Sequence, residues 1–179
     1  SPYAPYHAPV DPIRDLQFWL DEFALSDLQV IENRLERLKK LFQSHKESAL
    51  DKAEAVVLER MAAQIHERGT LEGVEIPREL EGRMRGYGLL TRKPRVIVLN
   101  LNESALGNEA ALLEPLQKLT DLPIVPLSAT FERDLIPLPE NERAEFLQMV
   151  GLDAPRLPTL VQTVYQQLHV QVFYTVGTD

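Results

Sequence analysis

Two short polar runs in this chain carry the residue types needed to read the edge of a planar ring. Asn100-Leu101-Asn102-Glu103 follows the apolar run Val96-Ile97-Val98-Leu99, and Ser128-Ala129-Thr130 follows Leu122-Pro123-Ile124-Val125-Pro126-Leu127. An Asn side chain presents a donor and an acceptor side by side, and a carboxylate accepts from amino and imino groups. A Ser-Ala turn lets backbone N–H groups approach a ring without steric conflict. Ligands of open parallel sheets bind beyond the carboxyl ends of the strands, which is where both runs fall. A purine base is the ligand class these groups suit. The competing reading is local: Asn100 and Ser128 cap helices or stabilise turns.

Other chemistry is sparse. The chain has no cysteine, which excludes a disulfide scaffold, a thiolate metal site and a cysteine nucleophile. His7, His45, His66 and His169 are dispersed, and no pair has helical ligand spacing, so no metal site is expected. Glu140, Glu142 and Glu145 fall at a helix start, where acidic residues complement the helix dipole. Neither Gly-x-x-x-x-Gly-Lys-Ser/Thr nor Asp-x-x-Gly occurs in the 179 residues. The loop that cradles phosphates, its lysine and its magnesium-binding hydroxyl have no counterpart here.

The elements that must position these groups are legible in the spacing. Prolines at 2, 5, 9 and 12 make the start extended or irregular. From near Asp15 a long helix is expected, with Leu28, Ile31, Leu35, Leu38 and Phe42 forming a narrow apolar seam at spacings of three and four. A second helix is expected from about Ala49 to Arg68, with Leu50, Ala53, Val57, Met61 and Ile65 along one side and Gly69 as its stop. Two such helices on a short link predict an antiparallel coiled-coil hairpin, with a compact bundle as the alternative. Phe18 and Trp19 would anchor the first helix. A short helix from Arg78 to about Arg85 follows, ended by Gly86 and Gly88.

The pattern then changes. Pro94–Asn100 and Leu122–Leu127 read as short buried strands, and His169–Thr175 alternates like a third. Helices are expected at about Glu109 to Leu119, Glu140–Met149 and Thr159–Leu168. Strands alternating with helices predict an α/β fold with a partial parallel sheet.

Charge is segregated. The net charge is −8, from 19 basic and 27 acidic residues. Residues 78–95 hold six basic side chains, Arg78, Arg83, Arg85, Arg92, Lys93 and Arg95, against Glu79 and Glu81; residues 100–179 hold four basic and eleven acidic. The acidic balance argues against broad nucleic-acid affinity. The basic segment is a candidate contact for RNA or ribosomal phosphate, with strongly salt-dependent affinity. In the competing reading these arginines pair with acidic residues of the sheet domain. No apolar run approaches the roughly 20 residues of a membrane span, and the first residues lack the build of a signal peptide. The expectation is a soluble, cytoplasmic protein that engages no membrane.

Several segments, in order, resemble the YchF, or Obg-like ATPase, family of P-loop proteins. Val10–Asp15 is similar to the entry into that family's helical insertion, and Leu25–Leu38 to the start of its coiled coil. Leu89-Leu90-Thr91-Arg92-Lys93-Pro94, the following strand and Asn100–Glu103 resemble the return into the nucleotide-binding domain. Glu142–Leu147 and Gly151-Leu152 resemble a later helix and turn. Gln171–Gly177 resembles the entry to a C-terminal domain.

The resemblance implies a P-loop-NTPase-like α/β domain carrying the hairpin as an insertion. Its parts would be an extended entry at 1–14, the helical insertion at 15–88, and the C-terminal part of the nucleotide-binding domain at 89–179. It implies ATP or GTP as ligand, with Mg2+ in an intact family member, and ribosome or RNA as a partner. Asn-x-x-Glu stands where most GTPases have Asn-Lys-x-Asp, a change associated with preference for ATP. By this resemblance Asn100 and Glu103 border the base, the backbone of Leu101 contacts the adenine amino group, and Ser128 and Ala129 form the second base-binding turn. The expectation is a piece or a degenerate relative of a nucleoside triphosphatase, inactive by itself for want of a phosphate loop. A non-catalytic interaction module working through the helices and the basic segment is the second expectation.

Overall fold

The computed structural model describes residues 9–171 and 173. The chain divides into two compact units, Leu16–Lys93 and, together, Ser1–Asp15 with Pro94–Asp179.

Helix α1 (Pro12–Gln43) starts earlier than the seam indicates. Asp11 explains the start: its Oδ1 accepts from the N–H groups of Ile13 and Arg14, both at 3.1 Å. Pro12 occupies the first helical position, where a missing N–H costs nothing. Helix α2 (Ala49–Arg68) has the expected bounds. Ser48 and Asp51 form a capping box: Asp51 N–H donates to Ser48 Oγ at 3.2 Å, and Ser48 N–H donates to Asp51 Oδ2 at 2.8 Å. Gly69 ends the helix at φ +66°, a left-handed conformation that glycine adopts without strain.

Ile31 and Leu38 of α1 and Val57, Met61 and Ile65 of α2 are buried, as the seams predict. The buried face of α2 is wider than its seam, because Glu54, Ala55 and Leu58 are buried while Leu50 is exposed. The added width meets Leu71, Val74, Leu80, Met84 and Leu89, which join the same core. Arg78–Leu80 is a 3-10 turn running into helix α3 (Glu81–Gly86).

The other unit is α/β. Strands β1 (Ile97–Asn100) and β2 (Ile124–Leu127) are parallel, with Ile97 opposite Ile124 and Asn100 opposite Leu127. Helix α4 (Ala110–Gln117) joins them and is shorter than expected. Helix α5 (Ala129–Leu135) stands where the sequence reads as loop. Helix α6 (Glu140–Met149) has the expected bounds, and α7 (Leu157–Leu168) starts two residues early, with Pro158 in its first turn. Leu106, Phe131, Leu135, Leu147 and Leu152 form the core beneath these helices.

The expected third strand does not begin at His169. That residue takes φ +51° and caps α7, which breaks the extended run at its first position. Residues 172, 174 and 175 of that strand lie outside the described residues. No helix among the described residues is long and apolar enough to cross a membrane.

Candidate nucleotide-base site

The ends of β1 and β2 are tied together by a side chain. Asn100 closes β1, and its Oδ1 accepts from the N–H of Ala129 at 3.0 Å. The parallel register puts Asn100 beside Leu127, one residue before the turn into α5. Leu101 extends the ladder by donating its N–H to Leu127 O at 2.8 Å. Asn100 is exposed. Since Oδ1 is engaged, its amide NH2 is the group left to meet a ligand.

Ser128 is 1% exposed, and its Oγ accepts from Phe131 N–H at 3.4 Å. Its hydroxyl therefore caps α5, as the local reading of this residue expects. Ala129 opens that helix and is exposed. Glu103 begins a one-turn 3-10 segment, Glu103–Ala105, and is exposed. It lines an open cavity of about 550 Å³ with Ser104, Gly107, Asn108 and Gly151. The cavity includes none of the other four expected base contacts. Gly107 has φ +75°, and a Cβ there would meet Val150 O at 2.7 Å, so no other residue fits without displacing the backbone.

Sequence reasoning missed the contacts that hold this frame. Glu132 of α5 accepts from the backbone N–H of Arg156 at 2.6 Å. The Arg156 Nη2 donates to Glu109 at 3.0 Å. Both glutamates are buried. One arginine thereby fastens α5, the residue before α4 and the start of α7. The partners are 24 and 47 residues apart, which leaves no periodicity or motif to find.

The basic residues are not equivalent. Arg78, Arg85 and Lys93 are exposed and Arg92 is half-buried, all in the helical unit; Arg95 lies in the α/β unit. Arg83 is engaged within its own unit, with Nη1 2.8 Å from Asp51 Oδ1 and 2.5 Å from Glu54 Oε2. Its partners are thus Asp51 and Glu54 of α2, not the acidic residues of the sheet domain that the pairing expectation names. Glu54 also accepts from Arg34 Nε at 2.7 Å and Nη2 at 3.0 Å and from the Tyr87 hydroxyl. Burial pushes the Glu54 carboxyl up, and the hydrogen bonds from Arg34, Tyr87 and Arg83 outweigh it, bringing it down to about 2. The bond to Glu54 in turn holds the Arg34 guanidinium above its usual range. Hydrogen bonds from Ser48, then Arg83, hold Asp51 well below the usual carboxylate range.

A second carboxylate seals the same unit. Asp27, 1% exposed, accepts from the N–H groups of Leu90 at 2.6 Å and Thr91 at 2.8 Å and from Thr91 Oγ1 at 2.7 Å. The Thr91 hydroxyl oxygen also accepts from Leu71 N–H at 3.1 Å. No three His, Asp or Glu side chains among the described residues gather to hold a metal ion.

No protein-family model matches the chain. Among known proteins it is similar to the ribosome-binding ATPase YchF of Escherichia coli O157:H7, 31% identical over 170 residues. It is also similar to Obg-like ATPase 1 of Caenorhabditis elegans, 30% identical over 177 residues. These matches cover 94% and 95% of the chain, and 46% and 44% of the relatives. The chain thus spans about half the length of the curated relatives it matches. The Schizosaccharomyces pombe YchF GTPase structure shares the fold, with a TM-score of 0.72 at 22% identity over 93% of this chain and 46% of that one. The chain is therefore a relative of YchF and Obg-like ATPases over nearly its whole length.

Proposed function

We propose that this relative of the YchF and Obg-like ATPases contributes the base-reading surface of a nucleoside triphosphate site. The observation that carries the reading is the hydrogen bond from Ala129 N–H to Asn100 Oδ1. It fixes the Asn100 amide, so that the NH2 group faces a ligand in one orientation and donates to a ring nitrogen or carbonyl. An adenine amino group is a donor, so contact with Leu101 falls to the Leu101 carbonyl, the N–H being spent on Leu127. Glu103, longer than an aspartate, accepts from an exocyclic amine at a different reach, which supports ATP over GTP. Ser128 acts through the turn it caps, and Ala129 presents small bulk beside the ring.

The residues present here do not fit a magnesium site of the P-loop kind, because the Gly-rich loop with its magnesium-binding Ser/Thr has no counterpart among the 179 residues. No step is assigned to that ion. The 179 residues are proposed to bind nucleotide weakly and not to hydrolyse it, since phosphate contacts supply much of the charge-assisted binding energy. Isothermal titration of the chain with ATP and GTP tests this. Weak binding that is lost in Asn100→Ala supports it, and steady turnover of ATP by the purified chain refutes the inactivity.

The helical unit supports a second reading, as a coiled-coil insertion at 15–88 that contacts a ribosome or RNA in the cytoplasm. Its favouring observation is that Arg78, Arg85 and Lys93 stay exposed while Arg83 is engaged. One relative's name also describes a ribosome-binding ATPase. Co-sedimentation with ribosomes at low salt should fall when Arg78 and Arg85 become Ala with Arg83 left in place. Unchanged co-sedimentation rejects this surface.

A further inference from the structure

Residues 150–156, which connect α6 to α7, hold both segments that present candidate base contacts. The first segment is the loop 103–109 between β1 and α4. Leu106 of that loop shares a core with Leu147 and Leu152. Gly107 lies so close to the connection that a Cβ would come within 2.7 Å of Val150 O and 3.4 Å of Gly151 O. Glu109, at the end of the loop, accepts from Arg156 Nη2 at 3.0 Å. The second segment is α5, which Ala129 opens. Its Phe131 and Leu135 enter the same core, and its Glu132 accepts from Arg156 N–H at 2.6 Å. Arg156 thus bonds to both segments, through its backbone to one and through its guanidinium to the other.

The two bonds differ in what their loss entails. The backbone bond survives a change of the Arg156 side chain, and the bond to Glu109 does not. Glu109 is buried, and its other oxygen, Oε2, has no hydrogen-bond partner among the described residues. Without the guanidinium its carboxylate is a buried charge left alone, which is costly. The loop relieves that cost by turning Glu109 out to water. Such a turn draws Gly107 and Asn108 away from the connection, and both line the open cavity together with Glu103. Asn100 and Ala129 are tied by their own bond and keep their places.

We propose that Arg156 is a positioning residue of the base site, which by pairing with Glu109 holds the Glu103 loop in register with the Ala129 turn. The inference rests on the base-reading function proposed above. Arg156 does not touch the base in this scheme. It fixes the reach of Glu103, the group by which ATP is told from GTP. Specificity is a difference of two affinities, so loss of the guanidinium changes the ratio of the two and not only their common size.

The test titrates the 179-residue chain with ATP and with GTP and follows its amide resonances. Before nucleotide is added, Arg156→Met is expected to shift the amides of Glu103 and Ser104, at the far end of the loop from Glu109. Arg156→Met and Arg156→Gln are each expected to lower the ATP-to-GTP affinity ratio roughly threefold or more, the size of coupling found between groups of one network. Arg156→Lys keeps a cation beside Glu109 and is expected to retain most of the preference. Circular dichroism matching the parent establishes that each variant folds. If the parent binds nucleotide and the ratio is unchanged in Arg156→Met and Arg156→Gln, the inference is overturned and the base-reading function stands. A ratio that Arg156→Lys lowers as far as Arg156→Met does the same. A parent chain that binds neither nucleotide refutes the base-reading function, and the inference falls with it.

Discussion

Asn100 and Ala129 lie 29 residues apart and share one hydrogen bond, 3.0 Å long, from the Ala129 N–H to the Asn100 side-chain oxygen. The bond joins the last residue of one strand to the first residue of the helix that follows the other. Asn100→Ala removes the acceptor and frees the amide position. We expect a stability loss of about 1 kcal/mol by denaturant titration. Nucleotide affinity should fall further, to below detection by calorimetry. If affinity is unchanged, Asn100 does not face the base.

Gly107 supplies a second, purely steric prediction. Its φ of +75° and the 2.7 Å approach that a Cβ would make to Val150 O both disfavour a side chain. Gly107→Ala should cost about 1–3 kcal/mol of stability, the range for strained backbone. Thermal unfolding measures this. A neutral outcome would mean that the Gly107 and Val150 backbones separate readily.

The Glu54 cluster makes stability depend on pH. Its carboxyl is brought down to about 2 in the folded chain, below the ordinary glutamate value of 4.5. A depressed folded value means that the contribution is fully present above about 4.5 and declines as pH falls toward 2. Asp51, also lowered, acts in the same direction. Denaturation midpoints measured between pH 6 and pH 2 should fall more steeply for the parent chain than for Glu54→Gln. Parallel profiles would remove Glu54 as the source.

Breaking the cluster one-sidedly should be costly. Glu54→Leu leaves Arg34 and Arg83 facing an apolar side chain. A loss of about 2 kcal/mol is expected, below the range for a buried pair because both arginines are partly exposed. Converting Arg34 and Arg83 to Met alongside Glu54→Leu should recover much of that loss. Chemical denaturation of the two variants distinguishes a cost of stranded charge from a cost of lost packing.

Asp27 should be less forgiving of change. It accepts three hydrogen bonds in a buried position, so Asp27→Ala strands two backbone N–H groups. A loss of about 2–4 kcal/mol is expected, counting about 1–2 for each donor left without a partner. Thr91→Val, which removes the hydroxyl's bonds to Asp27 and from Leu71 N–H and strands one backbone donor where Asp27→Ala strands two, should cost less. Equal losses would contradict this assignment.

Local signals were legible and distant ones were not. Gly69 marks the end of α2 because a left-handed stop is written in one residue, whereas the Ser48–Asp51 box that starts the helix emerged only in the structure. Ile31, Leu38, Met61 and Ile65 were readable as buried from spacing alone. Helix α5 was not, because Ala129-Thr130-Phe131-Glu132-Arg133-Asp134-Leu135 holds only two large apolar residues, at a spacing shared by many loops. Its helicity depends on Ser128 capping one end and on Glu132 holding Arg156. Glu54 reads as a solvent-facing charge until Arg34, Arg83 and Tyr87 converge on it. At the candidate site, the positions of Asn100 and Ala129 followed from strand ends. The Ser128 hydroxyl turned inward, and only the packed chain decides between cap and contact.

Asp51 divides its two oxygens between two length scales. One completes the start of α2 with Ser48, three residues away, and the other holds Arg83, 32 residues away. The box with Ser48 fixes the Asp51 side chain from within its own helix end. Arg83 therefore meets a carboxylate whose orientation the start of α2 holds without it. Part of the entropy of forming that distant contact has been spent on a local one. A single side chain thus lets the cap of one helix serve as the fixed anchor for an arginine 32 residues away.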